Sequence, residues 1–201
     1  MTIVIIVFTV IFSLAGFSNK VLFSKYSFKP YAIKNNQEWY RFFTYAFIHV
    51  DILHFVVNMF VLYSFGRVVE YSYKYLFGVK AYLFYLLLYV GGILFSVVFD
   101  FRKYKNNAYY SAVGASGAVS AIVFSSIIIS PLDKIYMFFI PIGIPSFIFG
   151  IIYLIYSAYM AKNSKDNIGH NAHFWGAVFG IAFTLILKPN LFVNFLNQII
   201  K

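Results

Sequence analysis

Six apolar runs, separated by short polar stretches, constrain this chain more than anything else in it. They lie at roughly Ile3 to Phe17, Ala46 to Phe65, Ala81 to Phe99, Val113 to Ser130, Ser146 to Ala161 and Ala172 to Leu187. A helix needs about 20 apolar residues to cross the hydrocarbon core of a bilayer. A chain in lipid must also satisfy its backbone hydrogen bonds within itself, which a helix does. The runs therefore predict an all-α fold: a polytopic membrane bundle of six transmembrane helices, with the lipid bilayer as its first partner. No internal repeat, low-complexity tract or long linker divides the sequence, so residues 1–201 read as one domain. Only Met1 and Thr2 precede the first run, without a basic leader, and no A-x-A-like cleavage site follows it. That run reads as a retained helix rather than a signal peptide.

Composition narrows the function. Charged residues make up 11% of the chain and hydrophobic ones 62%, whereas a soluble domain uses roughly a quarter charged residues to cover its surface. The formal net charge of +10 is spread over short loops. That distribution suits anionic lipid headgroups, and no basic run is dense enough to hold nucleic acid. The absence of cysteine excludes disulfides, thiolate metal sites and cysteine nucleophiles.

Polar side chains at membrane depth are costly, so the few present are functional candidates. All four histidines fall in two blocks, "FIHVDILHFVVNMF" (47–60) with His49, His54 and Asn58, and "IGHNAHFWGAVFG" (168–180) with His170 and His173. His54 and Asn58 are four apart and share a helix face. With the second helix read from Ala46, His54 lies roughly 12 Å along it. Such a His–Asn pair equally suits hydrogen-bonded gluing of two helices.

The stretch "VGASGAVSAI" (113–122) sets Ser116 among Gly114, Ala115, Gly117 and Ala118. Small residues serve close helix packing, and they also leave a serine hydroxyl accessible to a substrate backbone. His173 opens the sixth run with Gly176 and Gly180 at i+3 and i+7, and the fourth run has its own small face at Gly114, Gly117, Ala118 and Ala121. If these faces pack, Ser116 and His173 come together as a hydroxyl beside a base, which nucleophilic catalysis requires. Even-numbered helices enter from one face, so Ser116, His173, His49 and His54 share one end of the bundle.

These residues resemble the rhomboid family of intramembrane serine proteases. "EWYRFFTYAFIHVDILHFVVNMFVLYSFGRVVE" (38–70) is similar to the family's W-x-R, H-x-x-x-x-H-x-x-x-N-M and G-x-x-x-E pattern. "GASGA" (114–118) matches its G-x-S-G, "AHFWGAVFG" (172–180) its A-H-x-x-G-x-x-x-G, and the "FIPIGIP" turn (139–145) is also similar. The resemblance implies Ser116 as nucleophile and His173 as general base, a dyad without a third acid. It implies an oxyanion hole from His54, Asn58 and the Ser116 backbone N–H. His49, Gly114, Gly117, Gly176 and Gly180 would support the site, as would Trp39, Arg41 and Glu70. The implied substrates are transmembrane proteins, cut where their helix unwinds easily, with the fifth helix and the loop from Lys162 to His170 as a gate. No cofactor or metal is implied, and the sequence sets no oligomeric state. The acids Glu38, Asp51, Glu70, Asp100, Asp133 and Asp166 lie near the ends of the runs or between them. Arg41 and Glu70 flank the second helix at opposite ends, which argues against their pairing. Residues 18–45 are long enough to lie on the bilayer surface, anchored by Trp39 and Tyr40.

Two features depart from the family. An aromatic usually stands four residues after the nucleophile and packs on the catalytic histidine; here that position is Ser120, which leaves Phe124 or Phe174 to orient His173. Loops one, three and five carry ten Lys and Arg against six on the other side, which by the positive-inside rule puts both chain ends outside. The family resemblance outweighs this modest bias and implies both ends inside, and a plasma-membrane protein whose active site opens to the outer face. Among rival readings, zinc is disfavoured because His170 and His173 have H-x-x-H spacing without H-E-x-x-H or a carboxylate at depth. A transporter is disfavoured because the polar groups sit at one end rather than at the midplane. A rhomboid-like protein that binds membrane clients without cutting them is the closest rival.

Overall fold

The computed structural model describes residues 1–136, 142–163, 166 and 168–200. Ten α-helices follow one another among the described residues: α1 (Thr2–Ser18), α2 (Lys20–Tyr26), α3 (Pro30–Asn36), α4 (Arg41–Thr44), α5 (Ile52–Phe77), α6 (Ala81–Tyr104), α7 (Ser116–Ile129), α8 (Ser146–Asn163), α9 (His170–Leu187) and α10 (Asn190–Ile200). The fold is all-α; the only strands among the described residues are the two-residue pair Lys134–Ile135 and Ile144–Pro145. Each of the six apolar runs lies on a long helix. By length and hydropathy, two continuous stretches suffice to cross a membrane: Ile52–Tyr104, which holds α5 and α6 around a 3-10 turn, and α9. α1 and α7 are apolar but shorter.

The second helix begins later than its apolar run. Asp51 accepts the His54 backbone N–H at 2.7 Å, a side-chain cap that satisfies one free donor of the first turn and fixes the start at Ile52. Ala46 belongs instead to a 3-10 turn, Tyr45–Phe47. His54 therefore stands in the first turn of α5, not roughly 12 Å along it, and His49 lies in the extended segment before it. α5 also runs beyond Phe65, through Arg67 and Glu70, to Phe77. The Glu70 carboxylate is tolerated inside because it accepts from the Met1 amino group at 2.7 Å, the Thr2 N–H at 3.0 Å and the Thr2 hydroxyl at 2.8 Å.

α7 is the axis of the bundle, with every residue from Gly117 to Ile128 buried. It packs most extensively on α9, and α5 and α6 also lie against it. Small residues allow this approach. A Cβ built on Gly176 would run into the Gly117 carbonyl and one on Gly180 into the Ala121 carbonyl, while one on Gly92 of α6 would meet Ala118 and Ala121. α8 is peripheral: only Ser146, Gly150 and Ser157 are buried on it. It packs on α9 and α7, with no comparable contact to α5.

Residues 18–45 hold three short helices tied down by Arg41. Its guanidinium donates to the Ser24 carbonyl at 2.9 Å and the Ser27 carbonyl at 2.7 Å, and pairs with Glu38. The Arg41 bond holds the Glu38 carboxyl below the usual carboxylate range. Arg41 and Glu70 thus have separate partners. Trp39 and Tyr40 remain exposed, as interfacial anchors would be. Phe28 and Ala112 exchange backbone hydrogen bonds of 2.9 and 3.0 Å, which joins this surface element to the strand of chain leading into α7.

Candidate active site

The nucleophile candidate sits where an extended segment turns into a helix. Gly114 has φ +113°, a conformation that L side chains rarely adopt, and its N–H donates to the Tyr45 carbonyl at 2.9 Å. The imidazole of His54 lies over this glycine: a Cβ there would come within 2.9 Å of His54 Nε2. Glycine at 114 is therefore required twice, for backbone conformation and for the ring above it. Ala115 and Gly117 are buried, whereas Ser116 between them is partly exposed.

His49 fixes the residue next to Ser116. The Ala115 N–H donates to His49 Nε2 at 3.3 Å, and His49 Nδ1 lies 2.9 Å from the Ser13 hydroxyl, which itself donates to the Phe47 carbonyl at 2.9 Å. With the serine proton committed to that carbonyl, Nδ1 carries the imidazole hydrogen and Nε2 is left to accept. The hydrogen-bond pattern thus assigns the tautomer. The rings of His49 and His54 meet edge to face with centroids 5.0 Å apart. Asn58 is buried one turn below His54 and donates to the His54 carbonyl at 2.9 Å. Its amide retains a second N–H.

His173 approaches from α9. Gly117, beside Ser116, faces the Ala172 carbonyl, beside His173, and the same glycine carbonyl occupies the space where Gly176 lacks a side chain. The two helix beginnings are thereby held together. Ser116 Oγ and the His173 ring make no hydrogen bond to each other or to another described side chain; hydroxyl–base bonds are often long in free enzymes. The acids near the start of α9 are engaged elsewhere. Asp100 accepts from Asn171 at 2.5 Å and Tyr110 at 3.0 Å, and Asp166 lies 3.2 Å from His170. Among the described residues no three His, Asp or Glu side chains converge as metal ligands would.

The ring against His173 is neither Phe124 nor Phe174. Tyr153 of α8 lies over it, with an interplanar angle of 27° and centroids 6.3 Å apart. The Tyr153 hydroxyl is 2.7 Å from the hydroxyl of Ser120, the residue at the usually aromatic position. Phe124 packs on Tyr153 rather than on the histidine, and Phe174 packs on Trp175. One turn away Tyr156 meets His170 edge to face at 5.6 Å. The signal in the sequence is the spacing: Tyr153 and Tyr156 are three apart, as are His170 and His173, so antiparallel helices pair them in register. Of the "FIPIGIP" turn, residues 139–141 lie outside the described residues, as do 164, 165 and 167 of the loop before His170; Ile144–Pro145 forms the short strand that precedes α8.

The family profile described as "Rhomboid domain" matches residues 36–190. A curated relative, "RHOMBOID-like protein 12, mitochondrial" of Arabidopsis thaliana, is 34% identical over 162 residues, covering 72% of this chain and 46% of the relative. The chain thus spans about half the length of that relative. This chain belongs to the rhomboid family and is an integral membrane protein. The family includes serine proteases. The mitochondrial address belongs to the plant relative, and it gives no support to the plasma-membrane placement expected from the sequence.

Proposed function

We propose that this protein is an intramembrane serine endopeptidase that cuts transmembrane segments of membrane proteins. Ser116 is the nucleophile and His173 the general base. The observation that carries the reading is the contact of Gly117 with Ala172 and Gly176, which leaves Ser116 and His173 on either side of one helix–helix approach. Ser116 and His173 both stay partly exposed, so substrate and water have access to them.

In this mechanism Ser116 Oγ attacks the scissile carbonyl carbon while His173 takes the hydroxyl proton. The oxyanion forms within reach of the Ser116 backbone N–H, the His54 imidazole and the remaining N–H of Asn58; one such donor typically contributes about 10²–10³ in rate. Collapse breaks the C–N bond, and the leaving amine takes the proton from His173. Water, deprotonated by the same imidazole, then hydrolyses the ester and restores Ser116. No metal or cofactor enters.

The bundle, in this reading, is one domain of six crossings: α1, α5, α6, α7, α8 and α9. The 14 residues of α7 rise about 21 Å, short of a hydrocarbon core about 30 Å thick. With its far end at the opposite headgroups, Ser116 begins below the bilayer surface and the preceding loop completes the crossing. Labelling the membrane-embedded protein with a fluorophosphonate serine probe tests the reading. Wild type is expected to label, and Ser116→Ala and His173→Ala to abolish it. A folded wild type that does not label would overturn the proposal in favour of a relative that binds membrane clients without cutting them.

A further inference from the structure

We infer that Tyr153, held by Ser120, is a positioning residue for His173, and that it places alignment of the base under the control of α8. The inference rests on the protease reading. His173 needs a wall, because its imidazole makes no hydrogen bond to any described side chain and must still face Ser116. Tyr153 supplies that wall, lying 27° from parallel with its centroid 6.3 Å away, within the range at which aromatic rings attract one another. The tyrosine is itself constrained on two sides. Its hydroxyl bonds the buried Ser120 at 2.7 Å, and its ring meets Phe124 at 5.5 Å and Phe149 at 5.8 Å. Ser120 lies one turn after Ser116 on α7, so the pair Ser120–Tyr153 reaches from the nucleophile's helix across α8 to the base.

Ser120 is thus not a gap. A serine there leaves room for a ring from the neighbouring helix and gives it a hydrogen-bond partner. A ring on α7 would move with the nucleophile; a ring on α8 moves with a peripheral helix that buries only Ser146, Gly150 and Ser157 and lacks extensive contact with α5. Displacement of α8 therefore takes the wall away from His173, and the dyad is aligned only while α8 is docked.

The experiment compares wild type, Tyr153→Leu, Tyr153→Phe, Ser120→Ala and the double variant Tyr153→Leu/Ser120→Tyr in detergent micelles. The readouts are the rate of fluorophosphonate labelling at Ser116, kcat and KM on a transmembrane peptide, and the thermal midpoint. Tyr153→Leu keeps apolar bulk but loses the flat ring. It is expected to lower labelling and kcat by on the order of tenfold to a hundredfold, as small misplacements do, with KM little changed. Tyr153→Phe and Ser120→Ala keep the ring without its tether and should lose only a few-fold, while the double variant, with the ring returned to α7, should recover most of the rate. The inference is overturned if a folded Tyr153→Leu labels and turns over like wild type, or if the double variant stays as slow as Tyr153→Leu. Should wild type itself fail to label, the protease reading falls separately. The proton NMR shift of the His173 ring, which Tyr153→Leu must move, then decides the positioning claim alone.

Discussion

The imidazole of His49 ties the loop before α7 to α1, accepting from the Ala115 N–H on one side and bonding the Ser13 hydroxyl on the other. Ala115 immediately precedes Ser116, so the orientation of the proposed nucleophile depends on the ring of His49. His49 is fully enclosed at 1% exposure, and no water can replace its bond to that N–H. His49→Phe keeps the ring's bulk and leaves the amide without an acceptor, which costs about 1–3 kcal/mol. The expected outcome is a lower thermal midpoint in detergent together with slower labelling of Ser116. Ser13→Ala leaves the Ala115 bond in place and should lose less on both measurements; a His49→Phe variant as stable and as readily labelled as wild type would mean that His49 acts only by filling space.

At the scale of elements, α7 and α9 meet through absent side chains. Gly176→Ala would drive a methyl group into the Gly117 carbonyl, and Gly180→Ala one into the Ala121 carbonyl. Neither obstacle is the mobile end of a side chain, so the helices must part. Overpacking of this kind costs about 1–3 kcal/mol. Both variants should unfold at lower temperature, Gly176→Ala with a further loss of labelling because it separates Ser116 from His173. Gly169→Ala, whose nearest neighbour would be Ala172 Cβ at 3.7 Å, is the control expected to leave both unchanged. The same elements mark what could be read from the sequence. The six long helices followed from the length of the apolar runs, and the small faces of the fourth and sixth were visible as glycine spacing. The start of α5 was missed because an apolar run does not distinguish helix from the 3-10 turn and extended chain before it; the cap at Asp51 decides, and Asp51 reads on its own as a loop acid. The continuation of α5 to Phe77 was missed because Arg67 and Glu70 end the run on hydropathy, while a partner 68 residues away satisfies Glu70. Tyr153 was missed for a similar reason: its contact with His173 joins two helices, and the matching spacings of Tyr153 and Tyr156 and of His170 and His173 become a signal only once those helices are known to face each other.

The whole molecule makes a stronger demand, since the helix order must put Ser116, His54 and His173 at one face and the α5–α6 turn at the other. The proposed six crossings fix the side on which every loop emerges. The chain has no cysteine, so single cysteines report without background. Val79, in the turn between α5 and α6, and Tyr109, in the loop before α7, are each 98% exposed and tolerate substitution on that ground. In sealed vesicles of known orientation, a membrane-impermeant maleimide added outside should label Tyr109→Cys and spare Val79→Cys if the site opens outward. Val79→Cys should label once the vesicles are permeabilised. Reversal of the two would keep the six crossings and invert the molecule, in line with the ten Lys and Arg on the site-bearing side against six opposite and the attraction of basic loops to the inner face. Labelling of both from one side would break the six-crossing arrangement, because no odd number of spans could then separate the turn after α5 from the loop after α6.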